Sequence, residues 1–98
     1  MEVRNKTVEA KIEIGLGSRG RLRILRELAN RPEFLFTKYA LEKKTGLRSV
    51  DVKADLKNLL AFEWVKERRQ RLIKYQINLD DEIVKKTVDY FKSIGYLY

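Results

Sequence analysis

Cysteine and histidine are both absent from this 98-residue chain. Their absence removes disulfides, zinc sites of the usual kind, thiol or Ser–His nucleophile systems and a histidine pH switch. An enzyme is not expected, because it would have to work with Asp, Glu, Lys or Tyr alone. Thiol-based metal or redox sensing is not expected either, and no cofactor is implied. Long hydrophobic runs are lacking too: none approaches the roughly 20 residues of a membrane span. The first residues are charged and contain no secretory h-region, so a cytoplasmic location without membrane contact is the default expectation.

What is present is charge. Charged residues make up 37% of the chain, against 44% hydrophobic, and the net charge is +8. Residues 1–17 carry three acids and three bases, and residues 79–98 carry four acids and three bases. The excess lies between them: five bases against Glu27 in 18–31, four against Glu42 in 38–48, and five against Glu63 and Glu67 in 62–78. A basic chain with its excess localised in this way suggests a polyanionic partner, most often nucleic acid; a solvated basic surface is the plain alternative. Abundant charge with little Met or Gln also resembles proteins from hot environments, so a thermophilic archaeal source is the corresponding expectation. The length suits one domain, 1–98, with a single core, no internal linker and no repeat.

Residues 7–14, TVEAKIEI, alternate Val8, Ala10, Ile12 and Ile14 with Glu9, Lys11 and Glu13, which predicts a half-buried strand. Ser18 is placed to cap a first helix that Pro32 stops. Leu22, Ile24, Leu25, Leu28 and Ala29 fill its apolar arc. Arg21 falls inside that arc and is expected to snorkel or pair with a carboxylate. Arg19, Arg23 and Arg26 form a stripe on another face, read as solvated before it is read as phosphate-binding. Phe34-Leu35-Phe36 is long enough for a minimal strand, with both phenylalanines expected in the core.

Thr37 to Leu60 reads as two short helices broken by Thr45-Gly46-Leu47. Thr37 can cap the first, Gly46 tolerates the positive φ of a sharp turn, and Ser49 can cap the second. Val52, Leu56, Leu59 and Leu60 fall at i, i+4, i+7 and i+8, one apolar face. Trp64–Arg68 and Leu72–Ile77 then make a β-hairpin with a basic tip, its second strand facing Ile73, Tyr75 and Ile77 inward. Asp80 can cap a last helix over about 81–94, stopped by Gly95. Its apolar arc is wider than one packing face requires, so part is expected to seal the core and part to meet a second copy.

Strand, helix, short strand, helix-turn-helix, hairpin, helix: this order resembles the winged helix-turn-helix family, especially small ArsR/MarR-like regulators. The fold class is accordingly α+β, mostly α: a winged helix core (18–78), an extra N-terminal strand (1–17) and a C-terminal helix (79–98). The matching residues are Ser18 to Leu25 for the first helix, Thr45-Gly46-Leu47 with Val52 and Leu56 for the motif, and Trp64-Val65 through Tyr75 for the wing. The resemblance implies a sequence-specific, double-stranded-DNA-binding transcriptional regulator, with the second helix of the motif in the major groove and the wing on the backbone.

Carried over by position, the outward face of that helix offers Val50, Asp51, Ala54, Lys57 and Asn58, with Arg48, Ser49 and Lys53 at its start or flank. Lys38 opens the preceding helix, and Arg68, Arg69, Gln70, Arg71 and Lys74 supply the wing. Lysines and Arg48 suit phosphates or guanine edges, and Val50 and Ala54 suit thymine methyls. Asp51, near the reading end, would repel phosphate unless it accepts a hydrogen bond or orients a neighbour. The last helix and the N-terminal strand lie outside the resemblance, which covers roughly 16–78; the wide apolar arc of that helix points to a homodimer, with Val84, Val88, Phe91, Tyr96 and Leu97 at the interface and the N-terminal strand as a further candidate. The alternative is a winged-helix module that docks on a protein without binding DNA, anchored by Trp64, Phe62 or Tyr96.

Overall fold

The computed structural model describes residues 11, 13, 14 and 16–98. Its elements in order are α1 (Arg19–Asn30), β1 (Phe36–Thr37), α2 (Lys38–Thr45), α3 (Ser49–Ala61), β2 (Val65–Arg69), β3 (Ile73–Ile77) and α4 (Glu82–Ser93). The caps at the front of the chain act as their residue types dictate. The Ser18 hydroxyl accepts from the Arg21 amide at 3.0 Å, and the Thr37 hydroxyl accepts from the Ala40 amide at 3.1 Å. Each satisfies one of the amides a helix start leaves unpaired.

The helix-turn-helix forms around Gly46, which ends α2 in the left-handed region at φ 73° and donates its amide to Glu42. Thr45 locks the turn by donating its hydroxyl to the Leu41 carbonyl and accepting from the Leu47 amide. Gly20 matters differently: a Cβ there would lie 2.6 Å from the Asp55 carboxylate, so its absence lets α1 approach α3 closely. Ile24, Leu25 and Leu28 of α1, Leu41 of α2, and Val52, Leu56 and Leu59 of α3 meet in one buried cluster. Each such side chain contributes about 1.5–3 kcal/mol by leaving water.

The three strands form an antiparallel sheet in the order β1-β3-β2. Phe36 pairs with Tyr75, and Val65 pairs with Ile77 across the hairpin. Trp64 and Val65 are both buried, although neighbours on a strand face opposite sides. The conflict resolves because Trp64 sits in the bend before β2, its indole N–H donating to the Lys11 carbonyl at 2.9 Å. Of the predicted inward residues, Ile77 is buried and Tyr75 half-buried, but Ile73 reaches solvent near the tip. Phe34 is also exposed, packed edge-on against buried Phe36, because β1 begins only at Phe36.

Three further expectations need correction. Most of the strand predicted over 7–14 lies outside the described residues, but Lys11, Glu13 and Ile14 are helical. Packing overrides the period-two pattern there: Lys11 is buried, with its ammonium 2.9 Å from Asp81 and bonded to the Phe62 carbonyl. The same contact explains the second correction. Asp81, not Asp80, caps α4, accepting from the Ile83 and Val84 amides at 2.9 and 3.2 Å. Burial pushes the Asp81 carboxyl up, but the Lys11 ammonium and the two helix amides outweigh it and hold it below the usual carboxylate range. Asp80 instead pairs with Lys66 on the surface.

The third concerns α4. Val84, Val88 and Phe91 are 0, 5 and 5% exposed and complete the core of this one chain, so they are not free to form a dimer interface. Tyr96 and Leu97 are half-buried against the same core. A stripe at i, i+4, i+7 faces inward, and the outer part of the wide apolar arc is left with Tyr90 and Ile94, 60 and 56% exposed. Beyond α4, the Tyr98 hydroxyl donates to Glu27, and its ring and that of Tyr96 each lie 4.9 Å from the Arg26 guanidinium.

Candidate nucleic-acid interface

Because α3 buries Val52, Leu56 and Leu59, helical geometry turns Val50, Lys53, Ala54 and Lys57 to solvent. Val50 is 64% exposed, although apolar. With Lys38 and Tyr75 these four side chains line a groove of about 460 Å³ that runs between α3 and β3. The floor is apolar, and every charged group on its wall is a lysine. Burial raises the Tyr75 phenol above its ordinary value, so it faces the groove as a neutral hydroxyl.

The wing extends this surface. Arg68, Arg69, Gln70 and Arg71 are exposed, and Lys74 is half-buried. Arg68 lies directly opposite Lys74 in the ladder, a like-charge pairing that costs the hairpin stability. The Arg68 guanidinium leans to Gln76 at 3.5 Å, and Arg69 pairs with Glu67 at 2.8 Å. Among the described residues, Arg71, Lys74, Lys53 and Lys57 have no acidic partner. Leu72 stands 61% exposed beside Arg71 at the tip. Sequence reasoning gave it no role; its signal was a large apolar residue on the outward side of an alternating strand.

The helices before α3 are different. Arg21 pairs with Asp55 of α3 at 3.5 Å, as its place inside an apolar arc predicts. Arg26 is engaged by the two tyrosine rings, and the Arg31 guanidinium lies 4.2 Å from the Phe34 ring centroid. Lys38 is tied to Glu42 at 2.6 Å and to the Ser49 hydroxyl, and this bond holds the Glu42 carboxyl below its usual range. Ser49 therefore does not cap α3; the N-cap is Arg48, with no side-chain cap bond. The hydroxyl that the sequence offers as a cap is taken by the neighbouring ammonium.

At the start of α3, Arg48 and Asp51 form an exposed pair, Nε to Oδ2 at 3.0 Å and Nη2 to Oδ1 at 3.5 Å. The bond raises the Arg48 guanidinium further above its already high value. Asp51 thus accepts from its own helix's first arginine instead of facing outward alone. The alternative protein-docking anchors fare worse: Trp64 is 1% exposed, and Phe62 and Tyr96 are packed on the core.

No protein-family model and no curated protein sequence matches the chain. Solved structures do. HlyU from Vibrio cholerae superposes with a TM-score of 0.78 at 17% identity, covering 96% of this chain and 97% of that one. The homodimeric winged helix-turn-helix DNA-binding domain of Mb0332 from Mycobacterium bovis, a possible ArsR-family transcriptional regulator, gives 0.73 at 23% identity, covering 92% and 79%. NolR from Sinorhizobium fredii gives 0.67 at 24% identity over 100% of both chains. Order of elements, sheet topology and these likenesses agree: the chain has the winged helix-turn-helix fold of ArsR-like regulators.

Proposed function

We propose that the protein is a sequence-specific, double-stranded-DNA-binding transcriptional regulator. One observation carries this reading: α3 and the wing, the two elements that meet DNA in this fold, carry four cations, Lys53, Lys57, Arg71 and Lys74, that have no acidic partner among the described residues. In this reading α3 enters the major groove with Val50 and Ala54 against thymine methyls, while Lys53 and Lys57 reach base edges or flanking phosphates. Arg68, Arg69, Gln70, Arg71 and Lys74 hold the backbone, and Lys38 and Ser49 flank the entry. The like-charge pair Arg68–Lys74 supports it, because a phosphate between them would relieve the repulsion.

Titration against random duplex DNA across a range of salt tests the reading. With about six phosphates neutralised, log K should fall with log salt at a slope of roughly −5. Duplex binding that is absent at low salt would overturn the proposal.

The regulator acts as a homodimer in this reading, with two α3 helices about 34 Å apart on one face of the duplex. Support comes from the Mycobacterium bovis domain, which is homodimeric, and from the exposed apolar side chains Tyr90, Ile94 and Tyr98 near the end of the chain. These replace Val84, Val88 and Phe91 as the residues a second copy would meet. Sedimentation of the full chain with Tyr90→Lys and Ile94→Lys should show monomer where the wild type shows dimer; an unchanged dimer places the interface elsewhere.

A further inference from the structure

Asp51 is a carboxylate in the first turn of α3, beside the face offered to DNA. Its plain explanation is helix stabilisation, since an acid near a helix N-terminus meets the positive end of the dipole. That account leaves its second contact unexplained. Asp51 grips the Nε edge of Arg48, taking Nε–H and one hydrogen of Nη2. A guanidinium has five N–H donors in a rigid plane, so the outer Nη1/Nη2 edge stays free and is aimed away from the carboxylate. Two donors side by side in one plane match the O6 and N7 acceptors that guanine presents in the major groove.

From this geometry we infer that Arg48 is the guanine-reading residue of α3 and that Asp51 is its positioning residue. The inference rests on the DNA-binding reading above and adds the base. Arg48 is the N-cap, at the end of α3 that enters the groove first, and it is exposed. Lys53 and Lys57 can approach a base edge too, but as compact point charges without a planar fork they match the paired guanine acceptors less specifically than Arg48 does. An unrestrained Arg48 would also reach phosphates, which carry no sequence information. The carboxylate favours the base edge twice: it fixes the plane of the guanidinium, and it repels the backbone.

The two roles of Asp51 predict opposite results. Wild-type protein selects its site from a random-sequence duplex pool, and the selected duplex with its single-pair variants is titrated against wild type, R48A, D51A and R48A/D51A. One position of the site should be fixed as G·C, with replacement weakening wild-type binding about tenfold or more. R48A should abolish the preference at that position alone. D51A should reduce it to about threefold or less, while binding random duplex at least as tightly as wild type, because a negative charge has gone. The double variant should match R48A.

A D51A protein that melts earlier but keeps the guanine preference overturns the inference and leaves Asp51 a helix-stabilising residue. Unchanged preferences in R48A overturn it as well. If wild type binds duplex without fixing any guanine, this assignment fails and the DNA-binding reading stands. If wild type binds no duplex at low salt, both fail.

Discussion

Two regions of this molecule carry similar positive charge and use it differently. In α1, the following loop and α2, five of eight cations are engaged within the chain: Arg21 with Asp55, Arg26 with Tyr96 and Tyr98, Arg31 with Phe34, Lys38 with Glu42, and Lys43 over Tyr39, which leaves Arg19, Arg23 and Lys44. On α3 and the wing, Lys53, Lys57, Arg71 and Lys74 have no acidic partner among the described residues. By sequence the first region looks the more basic, because α3 balances Lys53 and Lys57 with Asp51 and Asp55. The structure reverses that impression. Asp55 turns back to Arg21 and Asp51 to Arg48, so neither acid cancels the lysines of the exposed face. Charge available to a partner is what remains after the fold has used its share.

The comparison breaks most readily at the wing. Arg71→Ala with Lys74→Ala should weaken binding to all duplexes alike, by about 10- to 100-fold at low salt, and reduce the salt slope by about 1.8, two phosphate contacts at roughly 0.9 each. Melting temperature should stay within a few degrees, because neither residue is buried. Lys66→Ala on the same hairpin is the control: its ammonium already belongs to Asp80, and its loss should change affinity less than twofold. Equal losses from both variants would mean that internal pairing does not decide which cations reach DNA.

In the other region the same deletion should act on stability. Arg21→Ala strands the half-buried Asp55 carboxylate between α1 and α3. Breaking fully buried pairs costs about 3–5 kcal/mol; here the 3.5 Å contact and partial water access put the cost nearer about 2 kcal/mol. Thermal unfolding should show a melting temperature lower by about 10 °C. Duplex affinity of the folded fraction should be unaltered, and a specific loss of affinity would place Arg21 at the interface. A smaller effect is expected from Lys57→Ala, a few-fold loss of binding with stability unchanged, read by the same two measurements.

These contrasts also mark how far the sequence can be read. Gly46, Ser18, Thr37 and the Val52/Leu56/Leu59 stripe were legible because their roles are local: a positive φ, a hydroxyl three residues before an amide, one face of a helix. The set of candidate DNA-facing residues on α3 was legible for the same reason, once the buried stripe was known. What failed depended on distant partners. Asp80 and Asp81 are equivalent locally, and only Lys11, seventy residues away, distinguishes them. Ser49 lost its cap role to Lys38. The alternation around Lys11 suggested a strand because its contacts to Asp81, Phe62 and Trp64 leave no periodic trace. Val84, Val88 and Phe91 were apolar on a wide arc, and nothing local says which part of such an arc the core takes.

The pairing of Arg21 with Asp55 gives the last and smallest test, by pH. Burial pushes the Asp55 carboxyl up, the Arg21 guanidinium offsets part of that rise, and the Asp51 charge adds to it; the net shift is upward. An acid whose pKa rises on folding binds its proton more tightly in the folded state, so its charged form costs stability at neutral pH. That cost is fully present above the folded value and disappears as pH falls below the unfolded value of about 3.9. Asp55→Asn keeps the shape without the titration. Denaturant unfolding of both proteins between pH 7 and pH 3 should therefore show wild type gaining on the variant as pH falls. Movement in the opposite direction would mean that Arg21 more than repays the burial of the carboxylate. The α1–α3 contact would then be a net favourable ion pair, and the cations of the first region would be held there by stability alone.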